Sequence, residues 1–178
     1  MAASSWFGKM LGMSLTLDHL NDLLVQQLED LYSAEDQLTE ALPKMAEAAH
    51  SAQLKSAFQT HLRETRQQKQ RLEQAFHILG HEPAAEKCQA MAGLISEGEE
   101  IIQATGDNDV KDAALIAAAQ RVEHYEMAGY GCARTFARQL HREDVAALLQ
   151  KTLEEESRTN EMLTQIAENL INPVAAHA

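Results

Sequence analysis

Apolar residues recur at intervals of three and four along almost the whole chain, the spacing that lines one face of a helix. Leu17, Leu20, Leu24, Leu28, Leu31, Leu38 and Leu42 form a first stripe, with Thr16 expected as its N-cap. Pro43 should kink that helix or end its regular part, because it lacks an N–H and crowds the preceding turn. A second stripe runs Leu54, Phe58, Leu62, Leu72, Phe76, Leu79 and stops at Gly80, with Pro83 just beyond. A shorter helical segment, about Ala85 to Ala104, is closed by the turn residues Thr105-Gly106-Asp107-Asn108. The third long stripe is Leu115, Ala119, Val122, Met127, Tyr130, Ala133 and Ala137. The fourth is Val145, Leu148, Leu149, Thr152, Leu153, Met162, Leu163, Ile166 and Leu170, ending near Asn172-Pro173.

The pattern predicts five helices, four of them long. Tight connections join the long helices into two antiparallel hairpins, and a crossover of about 28 residues carrying the short helix separates them. That is an all-α, ferritin-like four-helix bundle with a long crossover containing an extra short helix. Residues 1–15, with Trp6 and Phe7, read as a flexible N-terminal tail, residues 16–172 as the bundle, and residues 173–178 as a disordered C-terminal end.

Composition supports the helical reading. In 178 residues there are 8 Gly, 3 Pro and 4% aromatics, few of the residues that turns and strands favour. The balance of 15 Lys and Arg against 27 Asp and Glu gives a net charge of -12. That argues against nucleic acid, whose phosphates need clustered cations, and against an anionic membrane surface. No apolar run approaches the roughly 20 residues of a membrane span. Cys88 and Cys132 form neither a disulfide framework nor a zinc motif, read as buried small apolar residues, and fit a reducing cytoplasm.

Charge alters the picture where it interrupts the stripes. Glu35 lies about 20° from the centre of the first stripe, Glu126 within about 20° of the third, and Glu123 about 40° away. On the last long helix Glu156 lies about 40° to one side and Glu155 about 60° to the other. On the second, His61, Thr65 and Gln68 are central, whereas Glu64 sits at the edge, about 80° off. In antiparallel hairpins of similar length these positions meet at one height. Burying a lone carboxylate costs several kcal/mol. Four helices doing so in one layer need a counter-charge, and no Arg or Lys is read on the stripes at that level. A multivalent metal ion meets the need. A weak internal repeat agrees: Glu35 and Glu64 are 29 residues apart, as are Glu126 and Glu155, with FQTHLRET aligned on LQKTLEEE.

The segments DLYSAEDQLTEALPKMA (30–46), HLRETRQQ (61–68), KCQAMAGLI (87–95), DAALIAAAQRVEHYEMAGYG (112–131) and TLEEE (152–156) resemble the YciE/YciF-type ferritin-like stress proteins of bacteria. The resemblance runs from about Leu17 to Leu170. It implies a ferritin-like bundle with an extra crossover helix, a homodimer, and a dinuclear metal centre. Di-iron carboxylate bundles use one Glu from each of two helices and Glu-x-x-His from the other two. Glu35 and Glu126 fill the single-Glu roles here, and Glu123-x-x-Glu126 looks like the extra carboxylate pair of rubrerythrin-type proteins. Both Glu-x-x-His motifs are absent. The second long helix offers Glu64-x-x-Gln67 or Thr65-x-x-Gln68, with His61 as a replacement imidazole; the last offers Glu156-x-x-Thr159.

The expected metal ligands are therefore Glu35, His61, Glu64, Glu123, Glu126 and Glu156, with Glu155 or Glu156 serving on the last helix. Carboxylate-rich coordination favours hard cations, a dinuclear Fe centre first and Mn second. Such a centre, in a bacterial stress protein, would handle Fe(II), O2 or peroxide by oxidase-, peroxidase- or manganese-catalase-like chemistry. The alternative is a non-catalytic helical protein with a vestigial metal site, acting through protein partners. Tyr32, one turn before Glu35, is either a hydrogen-bond partner of the site or a core-edge ring.

Overall fold

The structure, a computed structural model, describes residues 16–178 except Ala85. The expected N-terminal tail, with Trp6 and Phe7, lies outside the described residues. Four long helices, α1 (Leu20–Ala48), α2 (Ala52–Leu79), α4 (Asn108–Gln139) and α5 (Glu143–Ile166), enclose the core, and α3 (Gln89–Gln103) lies in the crossover. A π-helical turn, Ala167–Ile171, continues α5 into α6 (Asn172–Ala175), so helical backbone runs past the Asn172-Pro173 stop predicted from the sequence. No strand occurs among the described residues. Helix α1 pairs with α2 and α4 with α5; α2 lies against α5, α1 against α4, and α3 covers α1 and α4. This is the predicted ferritin-like bundle with one long crossover.

The helix ends follow local chemistry. Gly80 closes α2 at φ 75°, the left-handed conformation that glycine adopts without steric cost. Ser51 caps α2 through Leu54 N–H, and Asp107 caps α4 through the N–H groups of Asp109 and Val110. One expectation for α1 fails and a second is narrowed. Its N-cap is His19, not Thr16, because Asp22 reaches back to accept the His19 N–H at 2.9 Å. Pro43 does not end the helix: α1 continues through Met45 and Ala46, whose burial holds the last turn in place. The buried Asp112 carboxylate on α4 accepts the backbone N–H groups of His50 (2.8 Å) and Ser51 (2.6 Å), pinning the α1–α2 turn.

The core is two apolar clusters. One gathers Leu38, Leu42, Leu54, Phe58, Met91, Leu115, Ile116 and Leu163; the other gathers Leu24, Leu28, Leu31, Leu72, Phe76, Tyr130, Val145 and Leu149. Between them every long helix contributes buried polar side chains: Glu35; His61, Thr65 and Gln68; Glu123 and Glu126; Thr152, Glu155, Glu156 and Thr159. Beside this layer α1 and α4 approach closely, a Cβ on Gly129 falling 2.8 Å from Leu31 Cδ2.

Candidate metal centre

His61 on α2, Glu123 and Glu126 on α4 and Glu156 on α5 each offer one ligand atom, and the four atoms lie within 4.8 Å of one another. All four residues are buried. Their spacing explains the convergence: Glu123 and Glu126 are three residues apart and share a helix face, while His61 and Glu156 occupy the facing stripes of the packed α2–α5 pair. His61 Nε2 lies 3.2 Å from Glu123 Oε1 and 4.0 Å from Glu156 Oε2. Neither imidazole nitrogen has a hydrogen-bond partner.

Glu35 is fully buried in the same layer but outside that group of four. The Tyr130 hydroxyl donates to its Oε1, and its Oε2 is unpartnered. Glu64 also lies outside that group of four, although its charge adds to the upward shift of Glu156 and Glu123. It is half-buried and lines a cleft of about 340 Å³ with Thr60, Arg158, Thr159 and Met162. Of the six expected ligands, the structure thus gathers four, sets Glu35 beside them and leaves Glu64 at the rim.

The metal-free electrostatics are unfavourable to ionised carboxylates. Burial, then the charge of Glu156, raises Glu35 well above the usual carboxylate range; burial, then Glu35, does the same to Glu126. Glu123 is raised by burial, by the Glu156 charge and by a hydrogen bond with Glu156. Burial lifts Glu156 to about 7 and lowers His61 to about 4, so the imidazole is neutral at neutral pH with a lone pair free for a metal. Unpartnered atoms converge here: Glu35 Oε2, both Glu126 oxygens, Glu123 Oε2, Glu156 Oε2 and both His61 nitrogens. Buried polar atoms in a folded protein are ordinarily satisfied. Hard oxygen donors with one neutral imidazole, all inward-facing and unpartnered, fit a divalent cation, so the cluster can hold a metal.

Two neighbours were not legible as part of the layer. Arg71 Nη1 and Nη2 donate to Glu155 Oε2 (2.6 Å) and Oε1 (2.7 Å), and Nη1 also donates to Thr152 (2.9 Å). This corrects the reading that no Arg or Lys reaches this level. The Arg71 Cα is above the layer, but side chains lean toward the helix N-terminus, and a long one spans a full turn. Tyr130, four residues after Glu126, reaches Glu35 by the same lean. Tyr32, by contrast, donates to Glu73 (3.0 Å) and meets Phe76 edge-on, with the Lys69 ammonium 5.1 Å from its ring centre. It is a core-edge residue. Of the cysteines, Cys88 is buried as expected and N-caps α3, whereas Cys132 is exposed, its side chain lying off the α4 stripe.

The family described as a domain of unknown function (DUF892) matches residues 19–176. Protein YciF of Escherichia coli (strain K12) is 46% identical over 162 residues, spanning 90% of this chain and 98% of that protein. The crystal structure of the E. coli stress protein YciF is similar with a TM-score of 0.85, covering 88% of this chain and 99% of the other. YcfI from Rhodopseudomonas palustris, described as structural, is 41% identical with a TM-score of 0.84, over 87% of this chain and 99% of its own. With one relative matched almost end to end and the buried layer in place, this chain belongs to the YciF-type DUF892 family.

Proposed function

We propose that this protein is a ferritin-like carboxylate metalloprotein of the bacterial stress response, working as a homodimer in the cytoplasm. His61, Glu123, Glu126 and Glu156, with Glu35 alongside, hold a dinuclear Fe centre, or Mn in its place. The observation that carries this reading is the convergence of unpartnered carboxylate oxygens and a neutral imidazole from all four long helices. Bound iron or manganese would supply redox chemistry toward Fe(II), O2 or peroxide. The chain's own residues perform the rest. Tyr130 fixes Glu35 by donating to one oxygen and leaving the other free, and the apolar clusters above and below exclude water. Metal loading displaces the protons that the buried carboxylates otherwise retain, so affinity rises with pH.

Metal content after expression in iron- and manganese-supplemented medium, beside Glu35→Ala and Glu126→Ala variants, tests the reading. Near-stoichiometric metal in the natural protein and its loss in the variants is expected; substoichiometric metal unchanged by either substitution overturns it. In that case a non-catalytic structural role, favoured by the description of the R. palustris relative as structural, takes its place.

A further inference from the structure

Helix α5 presents two adjacent glutamates, Glu155 and Glu156, to the buried layer. Neighbouring helical residues point about 100° apart, so both cannot reach one ion from the same backbone setting. Something must select between them. We propose that Arg71 makes that selection: it is a positioning residue that withdraws Glu155 and, through Gln68, orients Glu156 as the metal-facing carboxylate. The inference rests on the reading that the cluster holds a metal.

The connections are continuous. Arg71 takes both Glu155 oxygens at 2.6 and 2.7 Å and also bonds Thr152 Oγ1 at 2.9 Å, so the guanidinium spans a full turn of α5. A two-bond guanidinium–carboxylate pair fixes direction as well as distance. Gln68 lies one turn before Arg71 on α2. Its Nε2 donates to Glu155 Oε2 at 3.3 Å and to Glu156 Oε1. With Glu155 immobilised, the Gln68 amide must turn its NH2 rather than its oxygen toward α5, because an oxygen there would face two carboxylates. Glu156 Oε1 is therefore held by Gln68, and Oε2 is left unpartnered 4.0 Å from His61 Nε2. Arg71 is also a counter-ion that no chelator removes. It balances Glu155 permanently and leaves Glu156 as the α5 charge for a metal to neutralise.

The test uses the full chain with Co(II) as the probe. Arg71→Met combined with Glu155→Met removes the pair without stranding a buried charge, a replacement that is often neutral for stability. Gln68→Leu removes the amide's bonds to Glu155 and Glu156 while keeping the Arg71–Glu155 pair, and serves should the double variant not fold. Both should bind Co(II) about 10- to 100-fold more weakly, with altered visible bands, as expected when the group orienting a ligand is lost. In metal-free crystals the Glu156 carboxylate should leave its place beside His61. Arg71→Lys, which keeps the charge and one bond, should recover part of the affinity. An unmoved Glu156 with unchanged Co(II) affinity in the variants overturns the proposal. If the natural protein takes no Co(II), the metal reading fails, and the position of Glu156 in the metal-free variants still decides whether Arg71 positions it.

Discussion

Glu126 shows what a single residue contributes here. Both its oxygens are buried and unpartnered, so without a metal it destabilises the fold it belongs to. Replacing it with an apolar side chain of similar size should raise stability, because leaving a buried polar group unsatisfied costs about 1–3 kcal/mol. Glu126→Met is therefore expected to unfold at higher urea than the natural protein when both are treated with chelator, and to bind no metal; a lower midpoint would mean that Glu126 has compensation of its own. The titration of the layer has a definite sign. Glu156 is raised from 4.5 to about 7 in the folded protein. Its contribution to metal-free stability is fully present below 4.5 and lost as the pH rises through 7. Glu35, Glu123 and Glu126 are raised too and act in the same direction. His61 opposes them: lowered from 6.5 to about 4, it costs stability as the pH falls through that interval. Urea midpoints of the metal-free protein should fall between about pH 6 and 8, and Glu156→Gln should flatten that fall. A profile unchanged by the substitution would assign the slope elsewhere. Much of this layer was legible in sequence, because Glu35, Glu123, Glu126 and Glu156 stand near the stripe centres where leucine is expected. Arg71 and Tyr130 were not, nor was the Asp112 pin on the α1–α2 turn, since helical phase locates a Cα and says little of where a long side chain ends or which turn it will hold.

At the scale of the element, the same chain gave clear signals for helix bodies and uneven ones for their ends. Gly80 was readable as a stop because its left-handed backbone is a glycine property. The His19–Asp22 cap was hidden, histidine being an uncommon cap, and the continuation past Pro43 depends on packing by residues beyond it. Two glycines should respond in opposite directions to one substitution. At Gly80 the added Cβ meets no atom within 4 Å, so Gly80→Ala is disfavoured by its φ alone, at about 1 kcal/mol. At Gly93, inside α3 and equally open, alanine should add about 0.5–1 kcal/mol through lower chain entropy. Thermal midpoints of the two variants at one pH test the contrast; shifts of the same sign would contradict it.

For the whole molecule, the arrangement that matters is a polar layer lying between two apolar clusters. The layer is partly neutralised from within by Arg71, so a folded metal-free state is expected, and metal should stabilise that state by mass action rather than create it. Ligand at 100 times its dissociation constant adds about 2.7 kcal/mol, an increment that a chelator should reverse in a melting experiment. The divided core also bears on cooperativity. An unbroken apolar core melts as one unit, because losing any part exposes the rest; two clusters parted by a layer of buried polar groups are more weakly coupled, joined chiefly by the four long helices that run through both. A cation held by His61, Glu123, Glu126 and Glu156 would tie α2, α4 and α5 together at that seam and strengthen the coupling. In calorimetry the loaded protein should then behave as two-state, whereas in the empty one the van't Hoff enthalpy should fall below the calorimetric value. Metal bound at the layer would then make the two apolar clusters of one bundle unfold together.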